Sequence, residues 1–264
     1  MDLERLGRPD LARTFLDWYR EFSAETHPRS LEHHYIAYRA LVRSKISCLR
    51  GGHDDQVEAL EYLAQCQRHL VDARVQLIVI GGLPGTGKST LARALGDELG
   101  WPVLRSDEIR KEYAGLDPRQ RAPAPYGEGI YSPTVTETTY EALLGQAGAL
   151  LASGLSVVLD ASFSTARWRA EATALAHGAV ADLTELRCVL PADIAAARLA
   201  QRAAGGDDAS DATPAVAAAM VGDFDDWPSA VVVETTPPLP AILADVIARI
   251  GAAHVRPAAP AAGP

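Results

Sequence analysis

Residues 82–89 read Gly-Leu-Pro-Gly-Thr-Gly-Lys-Ser and match the pattern GxxxxGK[ST] at every specified position. The octapeptide follows the apolar run 75–80 and precedes a segment with helical spacing, 90–99, that ends at Gly100. Glycines in such a loop let the backbone curl until successive N–H groups point at phosphate oxygens, and the helix that follows adds the positive end of its dipole. The sequence therefore predicts a phosphate-binding loop between a strand and a helix.

Each part of this loop has an expected role toward a nucleoside triphosphate. Lys88 is expected to reach the β- and γ-phosphates, Ser89 to ligate Mg²⁺, and Thr90 to bind the α-phosphate. The predicted cofactors are accordingly ATP and Mg²⁺. The predicted ATP-binding residues are Gly82, Leu83, Pro84, Gly85, Thr86, Gly87, Lys88, Ser89 and Thr90.

Strand-like and helix-like segments alternate along most of the chain. Apolar runs without polar alternation, which are typical of buried parallel strands, occupy 75–80, 101–104, 155–159, 183–190 and 230–233. We therefore predict an α/β fold, the three-layer P-loop NTPase fold with a five-stranded parallel sheet and a lid, over residues 74–252. Three helical segments in 1–72 predict a small helical unit before it, and 253–264 is predicted to be a disordered Pro/Ala tail.

The composition limits the partners and the compartment. The 264 residues carry a net charge of −9, which argues against nucleic acid or an anionic membrane as a partner. Cys48, Cys66 and Cys188 form no CxxC pair, which favours a reducing compartment. No apolar run approaches the ~20 residues that a membrane span needs. We expect a cytoplasmic protein with no membrane or nucleic-acid partner.

Missing motifs narrow the class of P-loop protein. The sequence has no Asn-Lys-x-Asp motif for guanine, no second acidic residue after Asp160, and no Leu-Ser-Gly-Gly-Gln sequence. The first absence disfavours a GTPase, the second disfavours many motor ATPases, and the third disfavours a transporter ATPase. Kinases that act on small molecules are the class that remains.

Two carboxylates follow predicted strands at the sheet edge where the phosphate loop is expected. Asp107 comes after the second strand and is expected to accept the proton of an acceptor hydroxyl, or to orient that hydroxyl. The alternative is that Asp107 only caps the next helix. Asp160 ends an apolar run and is expected to hold Mg²⁺ with Ser89, although apolar strands also end in Asp for reasons of turn geometry.

Arginines follow the fourth strand at helical spacing. Arg198 and Arg202 lie on one predicted helix face before the polar loop 205–210. Arginines that lead into a lid are expected to neutralise charge on the transferred phosphoryl group, which makes both candidate catalytic residues. The alternative is a solvated helix face whose arginine stems cover apolar surface. Arg167 and Arg169 are weaker candidates for binding a substrate anion.

Several motifs together resemble one family. They are residues 82–90, Ser106-Asp-Glu-Ile-Arg-Lys111, Gly129-Ile-Tyr131, Val158-Leu-Asp-Ala-Ser162 and the pair Arg198 and Arg202. This set is similar to the AAA-type P-loop kinase group that includes zeta toxins, gluconate kinase and chloramphenicol phosphotransferase. The resemblance covers residues 75–252 and implies a five-stranded sheet with a lid and phosphorylation of a small-molecule hydroxyl. It does not identify the acceptor, because substrates vary widely within the group.

The N-terminal region resembles a second family. Residues 1–10 and 35–45 are similar to the last helices of an aminoglycoside phosphotransferase-like domain, which precedes a P-loop module of this kind in bacterial two-domain proteins. The chain does not match that domain's catalytic loop, so the domain looks truncated. Apolar surface left in 1–72 is expected to serve self-association or a partner.

Two further expectations concern side chains of this region. Its aromatic residues Trp18, Tyr19, Tyr35 and Tyr38 are expected to pack in the core. Its histidines fit no compact ligand set, and no metal site is predicted there.

Three functions stay open from the sequence. The leading hypothesis is an ATP-dependent kinase that transfers the γ-phosphoryl group to a hydroxyl of an unknown small molecule. One alternative is a nucleotide-dependent regulatory or adaptor module without an acceptor of its own. The other is a zeta-like toxin kinase that acts on a nucleotide sugar.

Overall fold

The computed structural model describes residues 1–23, 27–117, 120, 125–205 and 213–254, apart from the side chains of 202–205 and 252–254. The chain divides into two compact units. The first consists of Met1–Val75 with Ser153–Leu155, and the second of Gln76–Ala152 with Ser156–Pro264. Beyond His254, the predicted Pro/Ala tail lies outside the described residues.

The first unit is helical in its described part. Its helices are α1 (Asp2–Arg5), α2 (Pro9–Ser23), α3 (Arg29–Arg50) and α4 (His53–Asp72). Helix α3 ends at Gly51, whose φ of 78° lies in the left-handed region that favours glycine. Small residues of α3, Ala37 and Ala40, pack against Tyr62 and Cys66 of α4. Helices α3 and α4 therefore form a hairpin with a small hydrophobic core of its own.

The expectation that Trp18, Tyr19, Tyr35 and Tyr38 pack in the core is wrong. All four side chains are exposed, Trp18 at 59% and Tyr35 at 60% of the full accessible surface. Apolar spacing identifies the amphipathic face of a helix, but it does not reveal whether another element covers that face. Helix α2 consequently presents apolar surface to solvent.

The second unit contains a five-stranded parallel sheet, which confirms the predicted α/β fold class. Its strands are β1 (Gln76–Gly81), β2 (Val103–Arg105), β3 (Val157–Asp160), β4 (Asp182–Val189) and β5 (Val231–Glu234). Their spatial order is β2-β3-β1-β4-β5, so β1 lies at the centre. Each predicted run coincides with a strand to within two residues at either end.

Helices connect the strands and supply the outer layers. They are α5 (Lys88–Leu99), α6 (Ser106–Tyr113), α7 (Pro133–Ala152), α8 (Ala166–Gly178), α9 (Ala192–Gly205), α10 (Pro214–Val221) and α11 (Leu239–His254), with a short 3-10 helix at Gly129–Tyr131. Ile78 of β1 shares one core with Leu91 of α5 and Val246 of α11. Leu77 and Val79 point to the other sheet face by the alternation of a strand, and α7 and α8 contact β3 and β1.

The strand register brings three segments to one point at the carboxyl edge of the sheet. Asp160, the last residue of β3, pairs with Ile80 of β1 on one side and with Arg105 of β2 on the other. The residues that follow β1 and β2 therefore gather beside Asp160. A crevice at the carboxyl ends of parallel strands is where ligands bind in open α/β sheets.

The predicted lid loop and the expected lack of a membrane span can be compared with the described residues only. The polar loop predicted to form a lid, 205–210, lies beyond Gly205 outside the described residues. Among the helices that are described, none combines the length and the apolar character that crossing a membrane requires.

Candidate functional site

Two positions in the loop after β1 combine a positive φ with close backbone neighbours, and glycine fits both. Gly82 has a φ of 136° and Gly85 a φ of 82°. A Cβ on Gly82 would collide with the carbonyl oxygen of Cys188, and one on Gly85 would lie 2.8 Å from the carbonyl oxygen of Ala195. The glycines of the motif are therefore required by the neighbouring backbone as well as by the curl of the loop.

The loop leads directly into α5. Gly87 is the N-cap, so Lys88 and Ser89 lie in the first helical turn. Lys88 Nζ donates to the carbonyl oxygen of Leu83 at 3.0 Å, and Thr86 Oγ1 donates to the same oxygen at 2.7 Å. The lysine thus folds back over the loop, where its charge and the positive helix end can act on one anion.

A cavity of about 440 Å³ lies beside the loop and joins most of the predicted site residues. Its walls include Lys88, Ser89 and Thr90 from α5, Asp107 from α6 and Asp160 from β3. Most of the predicted phosphate-binding residues therefore line one cavity together with the predicted base, Asp107, and the predicted metal ligands. We call it the carboxylate cavity.

Asp107 lies one residue into α6, and Arg105 is the N-cap of that helix. The alternative in which Asp107 is itself the N-cap is therefore not observed. Asp107 instead lines the carboxylate cavity, with Arg110 one turn later on the same helix.

Asp160 is buried and paired with a cation that the sequence did not single out. Its Oδ2 accepts a hydrogen bond from Arg105 Nε at 3.0 Å, and Arg105 Nη1 donates to Glu108 at 2.7 Å. Burial by itself would lower the pKa of Arg105, but the carboxylates of Asp160 and Glu108 outweigh it and raise the pKa. Oδ1 is then the oxygen of Asp160 that is left for a metal ion. Together with the Ser89 hydroxyl it gives the hard oxygen ligands that Mg²⁺ takes.

A second cavity, of about 310 Å³, lies against the same loop. It shares Gly85, Gly87 and Thr90 with the carboxylate cavity, and its further walls are Arg198, Thr235 and apolar residues. The apolar residues are Leu91, Leu199, Pro237, Leu239 and Ile242. We call it the apolar cavity.

The structure separates Arg198 from Asp107. Arg198 lines the apolar cavity, and its Nη2 donates to the carbonyl oxygen of Thr235 at 3.0 Å. The side chain of Arg202 lies outside the described residues. Arg198 and Asp107 therefore line two different cavities, which share part of the phosphate loop.

Thr235 fixes the loop from the end of β5. Its Oγ1 donates to the carbonyl oxygen of Thr86 at 2.7 Å and lies 3.3 Å from the carbonyl oxygen of Val189. The threonine is buried, so these bonds are shielded from water. A residue 149 positions away in sequence thus holds a backbone carbonyl of the phosphate loop.

Aromatic side chains make up much of the remaining wall of the carboxylate cavity; they are Tyr126, Tyr131, Tyr140 and Trp168. The rings of Tyr140 and Trp168 are stacked, with centroids 4.7 Å apart. The Tyr140 hydroxyl accepts from the Phe163 backbone N–H at 2.9 Å. Burial raises the pKa of Tyr140, which keeps it a neutral phenol. These contacts give the cavity a rigid, flat wall.

The two weaker anion candidates do not line the carboxylate cavity. Arg167 pairs at the surface with Glu137 and Glu171, each at 2.9 Å. Arg169 is buried and donates to the carbonyl oxygen of Asp225 at 3.3 Å. Both arginines have local structural roles.

Residues that sequence reasoning missed include Arg105, Arg110, Tyr140 and Thr235. Arg105 and Arg110 flank Ser106-Asp107, and that proximity was the one available signal for them. The position of Tyr140 and Thr235 at the site depends on contacts between distant segments, which no local pattern encodes.

The first unit brings His33, His69 and Asp72 together, with one potential metal-ligand atom from each within 4.8 Å of the others. The Nδ1 atoms of the histidines are 2.8 Å apart, and His69 Nε2 is 2.7 Å from Glu4 Oε2. Both distances are those of ordinary hydrogen bonds. Hydrogen bonds among these side chains account for the two contacts.

Comparison with known proteins agrees with this geometry. The family profile described as AAA domain, AAA_33, matches residues 77–226. Uncharacterized protein Rv2004c of Mycobacterium tuberculosis is 38% identical over 241 residues, which make up 90% of this chain and 48% of that protein. The chain thus spans about half the length of the curated relatives it matches.

Solved structures share the fold of the second unit. A candidate kinase of Chloroflexus aurantiacus superposes with a TM-score of 0.53 and 25% identity, covering 68% of this chain and 97% of that chain. A sugar kinase of Janibacter sp. superposes with a TM-score of 0.50 and 16% identity, covering 67% and 95%. The chain therefore has a P-loop kinase-like fold.

Proposed function

The chain belongs to the AAA_33 family of AAA domains, and from this premise we propose that it is an ATP-dependent kinase. It would transfer the γ-phosphoryl group of Mg-ATP to a hydroxyl of a small molecule. The observation that carries the proposal is the phosphate loop between two different cavities. One holds carboxylates suited to an acceptor and a metal, and the other combines apolar side chains with Arg198 and Thr235.

The apolar cavity supports binding of the donor nucleoside. Apolar walls suit a planar base, and the shared residues Gly85, Gly87 and Thr90 lead from this cavity to the phosphate side. Arg198 Nη1 lies 3.6 Å from the point that a Cβ on Gly87 would occupy, so its charge is next to the loop. We assign Arg198 to the phosphates on this ground, with Arg202 one turn further along α9 as its partner in that role.

Mg²⁺ is the expected metal, with the Ser89 hydroxyl and Asp160 Oδ1 as its protein ligands. When bound, it would neutralise charge on the phosphate oxygens of the donor. The ion pair with Arg105 supports this assignment, because it fixes the carboxylate of Asp160 at the cavity wall. The Oδ1 atom of Asp160 would then need to move little when the metal ion binds.

Asp107 is assigned to the acceptor. The acceptor hydroxyl would lose its proton to the Asp107 carboxylate while its oxygen forms a bond to the γ-phosphorus. The bond between that phosphorus and the β–γ bridging oxygen breaks, and ADP leaves. Lys88 would stabilise the charge that develops on the transferred group.

The substitution Asp107→Asn tests the proposal. It keeps the shape of the side chain and removes its ability to take a proton, so turnover of γ-labelled ATP with a metabolite extract should fall by about 10²–10⁴-fold. Affinity for a non-hydrolysable ATP analogue should stay within about two-fold, because phosphate binding depends on the loop. Asp97→Asn, on the exposed face of α5, is the matched control and should leave turnover unchanged.

Each result decides between the open functions. Labelled product from the wild type and its loss in Asp107→Asn would support the kinase. Binding of the analogue without any labelled product would contradict it and favour the regulatory module. A labelled nucleotide sugar together with growth arrest on expression would favour the toxin.

A further inference from the structure

The contact face between α3 and α4 ends in two histidines. His33 lies one turn before Ala37 near the start of α3, and His69 lies one turn after Cys66 near the end of α4. Ala37 and Cys66 belong to the core of the hairpin, so the two histidines extend that core toward its open end. The turn at 51–52 lies at the other end of the hairpin. The histidines therefore face each other where no turn joins the two helices.

Two ring nitrogens and a carboxylate oxygen meet at this open end. His33 Nδ1 lies 2.8 Å from His69 Nδ1 and 3.9 Å from Asp72 Oδ2. Asp72 comes three residues after His69, so both lie on the same face of α4. The three side chains thus converge on one point from two helices, as metal ligands do in helical bundles. The spacing of the histidines along the sequence gave no sign of this set, because its members come from different helices.

Glu4 and Gln65 orient the buried histidine from behind. His69 Nε2 lies 2.7 Å from Glu4 Oε2, and the same oxygen accepts a hydrogen bond from Gln65 Nε2 at 2.7 Å. Gln65 is itself 2% exposed. In a neutral His69 ring, the carboxylate accepts the Nε2 proton, which leaves the lone pair of Nδ1 directed at His33. A carboxylate behind the imidazole is the usual support of a histidine that binds a metal ion.

We propose that His33, His69 and Asp72 bind one divalent transition-metal ion of the class of Zn²⁺ at the open end of the α3–α4 hairpin. Two imidazole nitrogens and one carboxylate oxygen are ligands that Zn²⁺ takes, with water in a fourth position. The ion replaces the proton between the two Nδ1 atoms, and His33 regains a proton on Nε2 from solvent. This site lies in the first unit and is separate from the proposed Mg²⁺ site, whose ligands are oxygens only.

The distances between the ligand atoms suit such an ion after small side-chain movements. Bonds of about 2.0–2.1 Å in a tetrahedral site place neighbouring ligand atoms about 3.4 Å apart. The two Nδ1 atoms would separate slightly from their 2.8 Å contact, and Asp72 would move inward. Asp72 is exposed whereas His69 is buried, so the movement falls on the side chain that is free to make it.

The charges of the cluster also suit a divalent cation. Asp72 and Glu4 each contribute one negative charge, and together they balance the double positive charge of the ion. The bound ion would join the start of α3 to the end of α4, and the contact of Glu4 with His69 would extend the link to α1. We therefore expect the ion to stabilise the helices of the first unit.

Calorimetric titration of the full, chelator-treated chain with ZnCl₂ measures the binding. Excess Mg²⁺ is present to occupy the oxygen ligands of the carboxylate cavity. The wild type should bind one equivalent of Zn²⁺ with high affinity, and His33→Gln should lower that affinity by about 100-fold or more, beyond the usual effect of losing a supporting residue. His34→Gln, at the exposed neighbouring position, is the matched control and should bind as the wild type does. Absence of saturable binding by the wild type, or equal affinity in His33→Gln, would overturn the proposal.

The substitution Glu4→Gln tests the support of His69 while it leaves all three ligands in place. It should weaken Zn²⁺ binding by about 10–100-fold. Circular dichroism of each variant without metal shows whether its helices are intact. Intact helices with unchanged Zn²⁺ affinity in Glu4→Gln would overturn the positioning role of Glu4.

Co²⁺ reports on the ligands directly. In a four-coordinate site with nitrogen and carboxylate ligands, Co²⁺ absorbs visible light far more strongly than the hydrated ion does. The wild type with one equivalent of Co²⁺ should show these bands, added Zn²⁺ should remove them, and His33→Gln should lack them. Bands of equal strength in His33→Gln would place the ion elsewhere and overturn the proposal.

Hydrogen–deuterium exchange of the wild type locates the ion without any substitution. Saturating Zn²⁺ should slow amide exchange by about ten-fold or more in 29–37 and 66–73, the helix ends that the ion joins. Exchange in 88–113, which contains the first turn of α5 and the Asp107 helix, should stay unchanged. Slower exchange confined to 88–113 would assign the ion to the carboxylate cavity and overturn the proposal.

Discussion

Arg105 Nε and Asp160 Oδ2 lie 3.0 Å apart across the carboxyl ends of two neighbouring strands, and both side chains are more than nine-tenths buried. The same two residues are direct partners in the β2–β3 register. The ion pair therefore holds the proposed metal ligand in place and also joins the strands that build the site. We therefore expect stability and the proposed metal binding to depend on the same contact.

Arg105→Met should lower the free energy of unfolding by about 3–5 kcal/mol, because Asp160 would stay buried without its cation. Asp160→Asn should cost less, since Arg105 keeps its hydrogen bond to Glu108. Urea denaturation of both single variants and of the double variant gives the coupling between the two residues.

The surface pair of Arg249 and Asp245 is the matched control for this experiment. Its N–O distance is 2.8 Å, but both side chains are more than half exposed. Arg249→Met should cost less than about 1 kcal/mol. An equal cost for Arg105→Met and Arg249→Met would contradict the role of burial.

Thr235→Val should weaken nucleotide binding. The variant keeps the shape of the side chain but leaves the Thr86 carbonyl without its 2.7 Å donor, so the phosphate loop loses a buried anchor. We expect a loss of about 1–2 kcal/mol in stability, and a weakening of about five-fold or more in affinity for the ATP analogue by calorimetry. Thr236→Val, at the exposed neighbouring position, should change neither quantity. An unaltered affinity in Thr235→Val would show that the anchor is dispensable.

The sequence predicted the sheet and the loop because their signals are local. An unbroken apolar run such as 155–159 marks a buried strand, and residues 82–89 specify a backbone shape by themselves. Thr235 gave no such signal, and Arg110 only its place beside Ser106-Asp107, because their contacts depend on a carbonyl or a cavity formed by other segments. The burial of Trp18 was predicted wrongly for the same reason, since the spacing of α2 does not reveal what covers it.

The first unit should lose stability as the pH falls. Burial lowers the pKa of His33 from 6.5, while Asp72 acts to raise it, His69 to lower it, and Glu32 and Glu4 to raise it. Protonation is therefore easier in the unfolded chain. The stability that the neutral ring contributes is complete above the unfolded pKa and is lost as the pH falls below it.

Chemical denaturation from about pH 7 to about pH 5 measures this effect, which should be on the order of 1 kcal/mol or less because the ring is partly exposed. His33→Gln should flatten that part of the pH profile. His34→Gln, at the exposed neighbouring position, should keep the wild-type slope. Identical slopes in His33→Gln and wild type would assign the pH dependence to other groups.

Helix α2 presents an exposed apolar stripe. Phe15, Trp18 and Phe22 follow one another at spacings of three and four residues, so they lie on one face, and Phe22 is 77% exposed. Exposed aromatic surface of this kind marks interaction sites more often than ordinary surface. The self-association or partner binding expected of residues 1–72 would therefore use this face, and self-association is the outcome that can be tested directly.

Sedimentation velocity over a range of protein concentrations tests the self-association. The wild type should shift from monomer to dimer as the concentration rises, since pairing two α2 faces removes large aromatic side chains from water. Replacing Phe15 and Trp18 together by Ser should weaken the dimer by about 100-fold or more, because burial of each aromatic side chain contributes about 1.5–3 kcal/mol. Val221→Ser removes an exposed apolar side chain from α10 of the second unit and should leave the dimer intact. A wild type that stays monomeric at every concentration, with the double variant indistinguishable from it, would contradict self-association and leave a different protein as the partner of this face.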